Sequence, residues 1–301
     1  RADRQPEFTQ IDMEMSFVDI DDIISLNEKL LGRIFKEILD VDLPEHFDRI
    51  TYQEAMDRYG SDKPDRRFGM ELFNVSDIVK DSGFKVFADV VAKGGSVRAI
   101  NAKNTASKLS RRDLDGLVDF VKIYKAKGMA WIVVEENELK SPITKFFTQE
   151  EIDAILKKAD AQPGDIIMFV ADKDSVVYDS LGALRIELAK RLGLIDKNEY
   201  NFLWVTDFPL LEYDEEEKRY VAKHHPFTSP MDEDVKLLKD HPEQVRAKAY
   251  DVVLNGTELG GGSIRIHDQE MQEDMFRALD MDQATIDEKF GFLVEAYHYG
   301  A

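Results

Sequence analysis

Two acidic residues flank a strong hairpin signal near the end of the chain, and their chemistry suits a metal ion. Asn255-Gly256 is a dipeptide typical of the two-residue turn between antiparallel strands. With that turn, Val253 opposes Glu258, and Asp251 becomes a diagonal neighbour of Glu258 on the same face. Two close carboxylates suit Mg²⁺ held together with nucleotide phosphates. The alternative is a pair of solvated acids on an exposed hairpin.

A run of three glycines, 260–262, follows in the second strand of this hairpin. Glycine weakens strands and often marks a bulge or the close approach of another group. Strict alternation places Arg265 on the face opposite Glu258, whereas a bulge in the glycine run brings both to one face. We predict such a bulge, because an arginine beside the acids would complete a pocket for a charged ligand.

Residues 7–18 alternate between polar and apolar side chains, which predicts a strand with one polar face. Phe8, Gln10 and Asp12 share that face. The segment is either a half-exposed edge strand or a sheet face that lines a polar pocket. Arg1 and Arg4 precede it and carry guanidinium groups that suit phosphate.

A histidine pair, His224-His225, stands before Pro226. Metal ligation at this position would need more partner residues than the sequence offers. A hydrogen-bonding role is therefore the favoured interpretation for the pair.

Hydrophobic periodicity predicts the elements that must position these residues. Apolar residues recur at helical spacing between 19 and 40, behind several acids that favour a helix start. Residues 52–58 predict a short helix that ends at Gly60. Other predicted strands cover 202–206, 220–224, 250–254 and 257–267, and helical segments cover 232–240 and 268–299.

The pattern changes between residues 67 and 196, where short strands mix with helices in the manner of an α+β unit. The predicted strands cover 85–91, 96–100, 130–134 and 165–170, and the predicted helices cover 110–124, 149–159 and 177–193. We therefore expect an α+β fold. Residues 1–66 and 197–301 should form one antiparallel sheet with flanking helices, and 67–196 a separate lobe.

Composition narrows the possible classes of protein. With 43% hydrophobic residues, the 301-residue chain can build a core, and the absence of cysteine excludes disulfides and thiolate metal sites. The lack of cysteine also fits a cytoplasmic protein. No apolar run approaches the roughly 20 residues of a membrane helix, so we expect no membrane association. The net charge of -20 argues against nucleic-acid binding by the chain as a whole.

Five stretches resemble the bacterial-type aspartyl-tRNA synthetases, which belong to class II. They are RADRQPEFTQID at 1–12, YGSDKPD at 59–65, HHPFTSP at 224–230, NGTELGGGSIRIH at 255–267 and KFGFLVEAYHYGA at 289–301. The first is similar to the second half of motif 2, and the order of the stretches is that of the family. Residues 67–196 resemble the GAD insertion domain of this family.

The resemblance implies ATP-dependent activation of L-aspartate to aspartyl-adenylate, followed by transfer to tRNA-Asp. It implies the following roles: ATP binding by Gln5, Phe8 and Glu258; Mg²⁺ ligation by Asp251 and Glu258; aspartate binding by Gln10, Asp12, His224 and Arg265. Arg1 and Arg4 are candidates for contacts with tRNA or phosphate.

The resemblance also implies parts that lie outside these residues. The family's motif 2 arginine is expected before Arg1 and motif 3 after Ala301, together with an anticodon-binding barrel and a homodimer interface. We therefore expect an internal fragment that has no complete catalytic set and is inactive alone. The barrel would reconcile the acidic charge with tRNA binding, because the basic surface needs only to be local.

Two other functions remain open from the residues. One is a Mg²⁺-dependent phosphotransfer or hydrolytic enzyme that uses Asp251, Glu258 and His224. The other is a GAD-type binding module without catalysis. Neither the choice between tRNA-Asp alone and tRNA-Asn as well nor the role of the lobe can be read from these residues.

Overall fold

The computed structural model describes residues 7–297 and 299, which divide into two compact units. The first unit contains the described residues up to His46, Pro209–Ala249 and those from Ser263 onward. The second contains Phe47–Phe208 and Tyr250–Gly262. No helix in the described part of the chain has the length and apolar character needed to cross a membrane.

Helices and strands are mixed along the chain, as expected for an α+β fold. The helices are α1 (Ile20–Leu39), α2 (Tyr52–Tyr59), α3 (Ser76–Val79), α4 (Lys85–Ala92), α5 (Arg111–Lys122), α6 (Gln149–Lys158), α7 (Asp174–Leu192), α8 (Gln269–Ala278) and α9 (Gln283–Tyr297). The strands are β1 (Asp48–Thr51), β2 (Leu72–Asn74), β3 (Ser96–Ala102), β4 (Ala130–Val134), β5 (Leu139–Lys140), β6 (Ile166–Asp172), β7 (Phe202–Thr206), β8 (Leu211–Asp214), β9 (Arg219–Ala222), β10 (Ala249–Leu254) and β11 (Thr257–Ser263). Short 3₁₀ segments cover Thr144–Phe146, Asp232–Leu237 and Pro242–Gln244.

Helix α1 confirms the prediction for residues 19–40. The Asp19 side chain caps its N-terminus in a reciprocal capping box with Asp22, which satisfies amide groups that the first turn leaves free. The helix ends at Asp40, which adopts a left-handed conformation with φ of 53°. Short-range signals were therefore enough to define both ends of this element.

A four-stranded sheet in the second unit positions the hairpin acids. Its order is β1-β7-β10-β11, with β10 antiparallel to β7 and β1 added in parallel. Strand β10 lies between two neighbours, and its residues from Ala249 to Val253 are buried. The sheet is therefore mixed and not wholly antiparallel as predicted, because β1 joins β7 in parallel, and Asp251 lies on an interior strand.

A five-stranded antiparallel sheet of order β2-β3-β6-β4-β5 lies within residues 72–172 of the second unit. One face packs against α5 and α7 through an apolar cluster that includes Leu117 and Leu181. The other face packs against α4 and α6 through a cluster that includes Phe87 and Ile155. Because helices cover both faces, β3 is buried along its whole length, including its polar residues Ser96, Arg98 and Asn101.

The predicted strand at 85–91 is wrong, because these residues form helix α4. Their β-branched content favours a strand, but Phe84, Phe87 and Val91 recur at helical spacing and pack together in one apolar cluster. Phe87 is 2% exposed. Burial of this stripe against the sheet outweighed the local strand propensity.

The predicted strand at 7–18 is also wrong. Residues 7–15 have no regular secondary structure, and Phe8 and Ile11 are 74% and 68% exposed. A strand forms only when a neighbouring strand accepts and donates its backbone hydrogen bonds. Alternation supplies the right side chains but not that partner, and none of the described strands pairs with this segment.

Candidate functional site

The turn of the carboxylate hairpin, β10 and β11, has the predicted geometry. Asn255 and Gly256 have φ values of 53° and 85°, the left-handed pair that a type I′ turn requires. The Asn255 side chain also accepts the backbone N–H of Asn201 at 3.0 Å and donates to the Glu199 carbonyl at 2.7 Å. These bonds hold the turn and with it the separation of the two acids along the strands.

Asp251 is buried in the interior strand β10, at 7% exposure. Burial, reinforced by the negative charge of Glu258, raises the pKa of Asp251 to about 7, although nearby Lys63 acts in the opposite direction. The carboxylate is therefore short of positive charge in its surroundings. An added cation would stabilise its ionised form.

Lys63 lies at the same cluster of acids. Its Nζ atom is 2.9 Å from Oε2 of Glu258 and 3.9 Å from Oδ2 of Asp62, and the charge of Asp251 also acts on it. Three carboxylates around one ammonium leave the cluster net negative. Carboxylate oxygens are ligands that Mg²⁺ prefers. Within the described residues, no three His, Cys, Asp or Glu side chains form a complete metal site.

Two of the three glycines are required by their neighbours in the sheet. A Cβ atom on Gly261 would lie 2.1 Å from Oδ1 of Asp251, and one on Gly262 would lie 2.9 Å from the Tyr250 ring. Gly260 has its nearest neighbour, Val252, at 3.9 Å. The glycine run thus lets β11 approach the Asp251 carboxylate closely. The predicted bulge that would turn Arg265 stays a prediction.

Arg265 belongs to a separate group of side chains in the first unit. Its Nη1 atom is 2.9 Å from Nε2 of His225, and it also donates to the hydroxyl and the carbonyl oxygen of Ser263. A bridge between Thr228 and Arg265 fixes the backbone. No carboxylate in the described part of the chain pairs with Arg265. Its planar guanidinium therefore keeps donors for a bidentate anion.

His225 is neutral near pH 7. Burial, together with the positive charge of Arg265, lowers the pKa of His225 to about 4. A neutral imidazole accepts a hydrogen bond at one nitrogen only. The Arg265 guanidinium lies at Nε2, and the Phe227 backbone N–H lies 3.2 Å from Nδ1. Both groups are donors, but only one of the two nitrogens has a lone pair that can accept. An anion on Arg265 would relieve this competition.

The other predicted site residues do not gather into a pocket among the described residues. Phe8, Gln10 and Asp12 are exposed on the irregular segment before α1, and His224 is exposed beside His225. Arg1, Arg4 and Gln5 lie outside the described residues.

Sequence reasoning missed two side chains of these groups. The HHPFTSP stretch led to His224, whereas the residue that contacts Arg265 is His225. Lys63 entered the sequence analysis only within the YGSDKPD stretch, although its ammonium contacts Glu258. For Lys63 no local signal exists, because its partners are distant in sequence.

The fold is α+β, and it carries an acidic hairpin and an arginine that has no carboxylate partner among the described residues. A family comparison agrees with these features. The family model described as "tRNA synthetases class II (D, K and N)" matches residues 1–301. The chain belongs to this family.

Among curated proteins, the chain is similar to aspartate–tRNA ligases of several bacteria. The chain is 60% identical over 301 residues to the aspartate–tRNA(Asp/Asn) ligase of Caldanaerobacter subterraneus subsp. tengcongensis. It is 61% identical over 301 residues to the aspartate–tRNA ligase of Ruminiclostridium cellulolyticum, and 60% identical to the aspartate–tRNA(Asp/Asn) ligase of a Thermoanaerobacter species. Each match includes 100% of this chain and 51% of the relative, so the chain spans about half the length of these curated relatives.

Among solved structures, a hypothetical protein from Pyrococcus horikoshii matches with a TM-score of 0.25 and 20% identity. That match covers 38% of this chain and 69% of the other. Likeness at this level carries no argument about fold or function.

Proposed function

We propose that the chain is part of a longer aspartate–tRNA ligase. That enzyme would join the α-carboxylate of L-aspartate to the α-phosphate of ATP, release pyrophosphate, and pass the aspartyl group to the 3′ end of tRNA-Asp. The names and the 59–61% identity of the curated relatives support this proposal. The observation that carries it is Arg265, which has no carboxylate partner among the described residues and is held by His225 and Ser263.

Arg265 would bind the side-chain carboxylate of aspartate. A fixed guanidinium fork matches two carboxylate oxygens, and the neutral His225 ring beside it adds no second charge. Asparagine would present amide donors to guanidinium donors, so this site would reject it. His224, Gln10 and Asp12 complete the proposed aspartate site, with the last two near the amino group.

Asp251 and Glu258 would hold Mg²⁺ together with the ATP phosphates. The two carboxylates would supply part of the oxygen ligands that Mg²⁺ prefers, and phosphate oxygens and water would supply the rest. The raised pKa of Asp251, caused by burial, supports this assignment because it shows that a cation would stabilise the carboxylate. The bound ion would offset charge on the phosphates while the aspartate carboxylate attacks. Gln5 and Phe8 are the other proposed ATP contacts.

The remaining proposals concern the longer protein. Arg1 and Arg4 would contact the ATP tail or the tRNA end. Most of the tRNA surface and a homodimer interface would lie elsewhere, since the net charge here is -20. Residues 67–196 would be a GAD insertion domain, and the cysteine-free composition fits a cytoplasmic enzyme.

Pyrophosphate exchange tests this proposal. The full-length protein with Mg²⁺, ATP and labelled pyrophosphate should form labelled ATP only when L-aspartate is present, and L-asparagine should not replace it. Charging assays with tRNA-Asp and tRNA-Asn then define the acceptor, because the relatives' names differ on this point. A rate of ATP consumption that does not depend on aspartate would instead indicate a hydrolase or phosphotransferase.

A further inference from the structure

A cavity of about 370 Å³ opens within the first unit, between α8 and α9, and no step above uses it. That volume falls in the range of small-molecule sites, which are mostly apolar with a few polar groups that orient the ligand. The apolar part of its lining includes Ile266, Phe276, Met281, Ile286 and Val294. Ile266, Phe276 and Ile286 are buried, so this part of the wall belongs to the core of the unit.

Gln272 of α8 is a polar residue of the same lining, and it is 4% exposed. Its Nε2 atom donates to the Pro226 carbonyl at 2.8 Å, which fixes the orientation of the amide. Its Oε1 atom is buried and accepts no hydrogen bond from any described group. A buried acceptor without a donor costs free energy, so a ligand that brings an N–H group to Oε1 would be stabilised there.

The wall that carries Gln272 is held in place by one short segment, Pro226 and Phe227. The backbone N–H of Ile266 donates to the Phe227 carbonyl at 2.8 Å. The rings of Phe276 and Phe227 meet edge to face, with their centroids 6.1 Å apart. Together with the bond from Gln272 to Pro226, these contacts fix three lining residues. The cavity is therefore preformed, which lowers the cost of ordering it around a ligand.

The exposed charged residues of the lining are mostly acidic. Three are carboxylates and one is a guanidinium: Asp268, Glu273, Asp287 and Arg277. The guanidinium of Arg277 is already paired, because it contacts both Glu273 and Asp274. Carboxylates thus outnumber the cation in the lining, and its charge favours a positively charged ligand over an anion.

We propose that this cavity is a ligand site that takes an organic amine cation with an apolar body. The apolar body lies against Phe276 and Ile286, and the ammonium group donates to Oε1 of Gln272 among the carboxylates of the lining. The lining includes neither Arg265 nor the hairpin acids, so this ligand is distinct from the aspartate and ATP of the proposed function.

Titration of the full-length protein with benzylamine, in the absence of ATP and aspartate, tests the site. Met281 lines the cavity, so its methyl resonance reports binding there, and Met281→Leu assigns that resonance. Benzylamine should shift it saturably, with a dissociation constant on the order of 1 mM or lower. Benzyl alcohol should bind more weakly, and benzoate should not bind. Equal binding of the three compounds would overturn the assignment to a cation.

Variants of the lining separate the contributions to binding. Gln272→Met removes the carbonyl acceptor at similar size, and it should weaken benzylamine binding about tenfold or more, the range for a hydrogen bond to a charged group. Asp287→Asn removes one exposed charge, and it should weaken benzylamine binding roughly two- to fivefold without affecting benzyl alcohol. Val294→Phe fills the cavity and should abolish the binding of both compounds. Glu288→Gln is the matched control, because Glu288 follows Asp287 on α9 but lies outside the described lining.

The outcomes that contradict the site are distinct. The absence of a saturable Met281 shift with benzylamine overturns the proposal. Unchanged affinity in Gln272→Met, or equal losses in Asp287→Asn and Glu288→Gln, overturns the assigned contacts. If Gln272→Met does not fold, Asp287→Asn and Val294→Phe decide the matter, since neither removes the bond to Pro226. Because aspartate and ATP are absent, failure of benzylamine binding leaves pyrophosphate exchange as a separate test of the proposed function.

Discussion

The carboxylate hairpin and the Arg265 group carry charges of opposite sign, and neither group is balanced by its neighbours. In the hairpin, burial raises the pKa of Asp251 to about 7. In the Arg265 group, burial and the guanidinium lower the pKa of His225 to about 4. The first group thus favours added positive charge, and the second favours added negative charge.

Ordinary structural ion pairs in this chain do not show such imbalance. Arg246, in the same unit as Arg265, donates to the Asp234 carboxylate at 2.8 Å and lowers the pKa of that acid. Arg265 has no carboxylate partner of this kind among the described residues. Unbalanced charge costs stability, and the aspartate and Mg²⁺ of the proposed function would each supply the opposite charge.

The largest test removes the Arg265 cation. In the full-length protein, Arg265→Leu should reduce kcat/KM for aspartate in pyrophosphate exchange about thirtyfold to several thousandfold. This factor corresponds to a loss of roughly 2–5 kcal/mol of interaction free energy with aspartate. The KM for ATP should stay near its original value. Arg277→Leu is the control, because Arg277 pairs with Glu273 at 3.2 Å on the surface of α8. Near-normal aspartate kinetics in Arg265→Leu would contradict the proposed role of the Arg265 group in binding a negatively charged ligand.

The second test acts on the acidic side through the glycine run. Gly261→Ala places a methyl carbon 2.1 Å from Oδ1 of Asp251, so the carboxylate must move. We expect a stability loss of about 1–3 kcal/mol, the range for overpacking, together with weaker Mn²⁺ binding. Gly260→Ala, with its nearest neighbour at 3.9 Å, should leave both properties nearly unchanged. Equal behaviour of the two variants would mean that β11 does not approach Asp251 as described.

The third test concerns pH. Since the folded pKa of His225 lies below the usual value, its contribution to stability is full above about pH 6.5 and is lost as pH falls through about 4. The loss should be about 1–2 kcal/mol, because the ring is only partly buried. Unfolding of the wild type and of His225→Gln between pH 4 and 8 measures it. The ring resonances should titrate near pH 4, and a midpoint near 6.5 would contradict the charge imbalance.

The elements with strong local signals were predictable. The Asn255-Gly256 dipeptide defined the hairpin, and the caps and periodicity of α1 defined that helix. The segment at 85–91 was misassigned because its β-branched composition was given more weight than the helical spacing of its apolar residues. The segment at 7–18 was misassigned because alternation is necessary for a strand but does not provide a neighbour.

Only part of each charged group was predictable. Asp251, Glu258 and Arg265 were identified from residue type and spacing around one turn. Lys63 joins Glu258 across a long stretch of chain that contains a separate sheet. His225 was passed over in favour of His224, because adjacent identical residues carry no pattern that distinguishes which one packs inward.

The sequence alone determined the residue types, the hairpin turn, most helices and the glycines that permit close approach. These depend on interactions within a few residues, where backbone preference and side-chain period act directly. Tertiary structure decided which strand is interior, which histidine contacts Arg265 and which lysine contacts Glu258. Burial and the pairing of charges depend on distant segments, so the pKa values of Asp251 and His225 follow from the fold and not from local sequence.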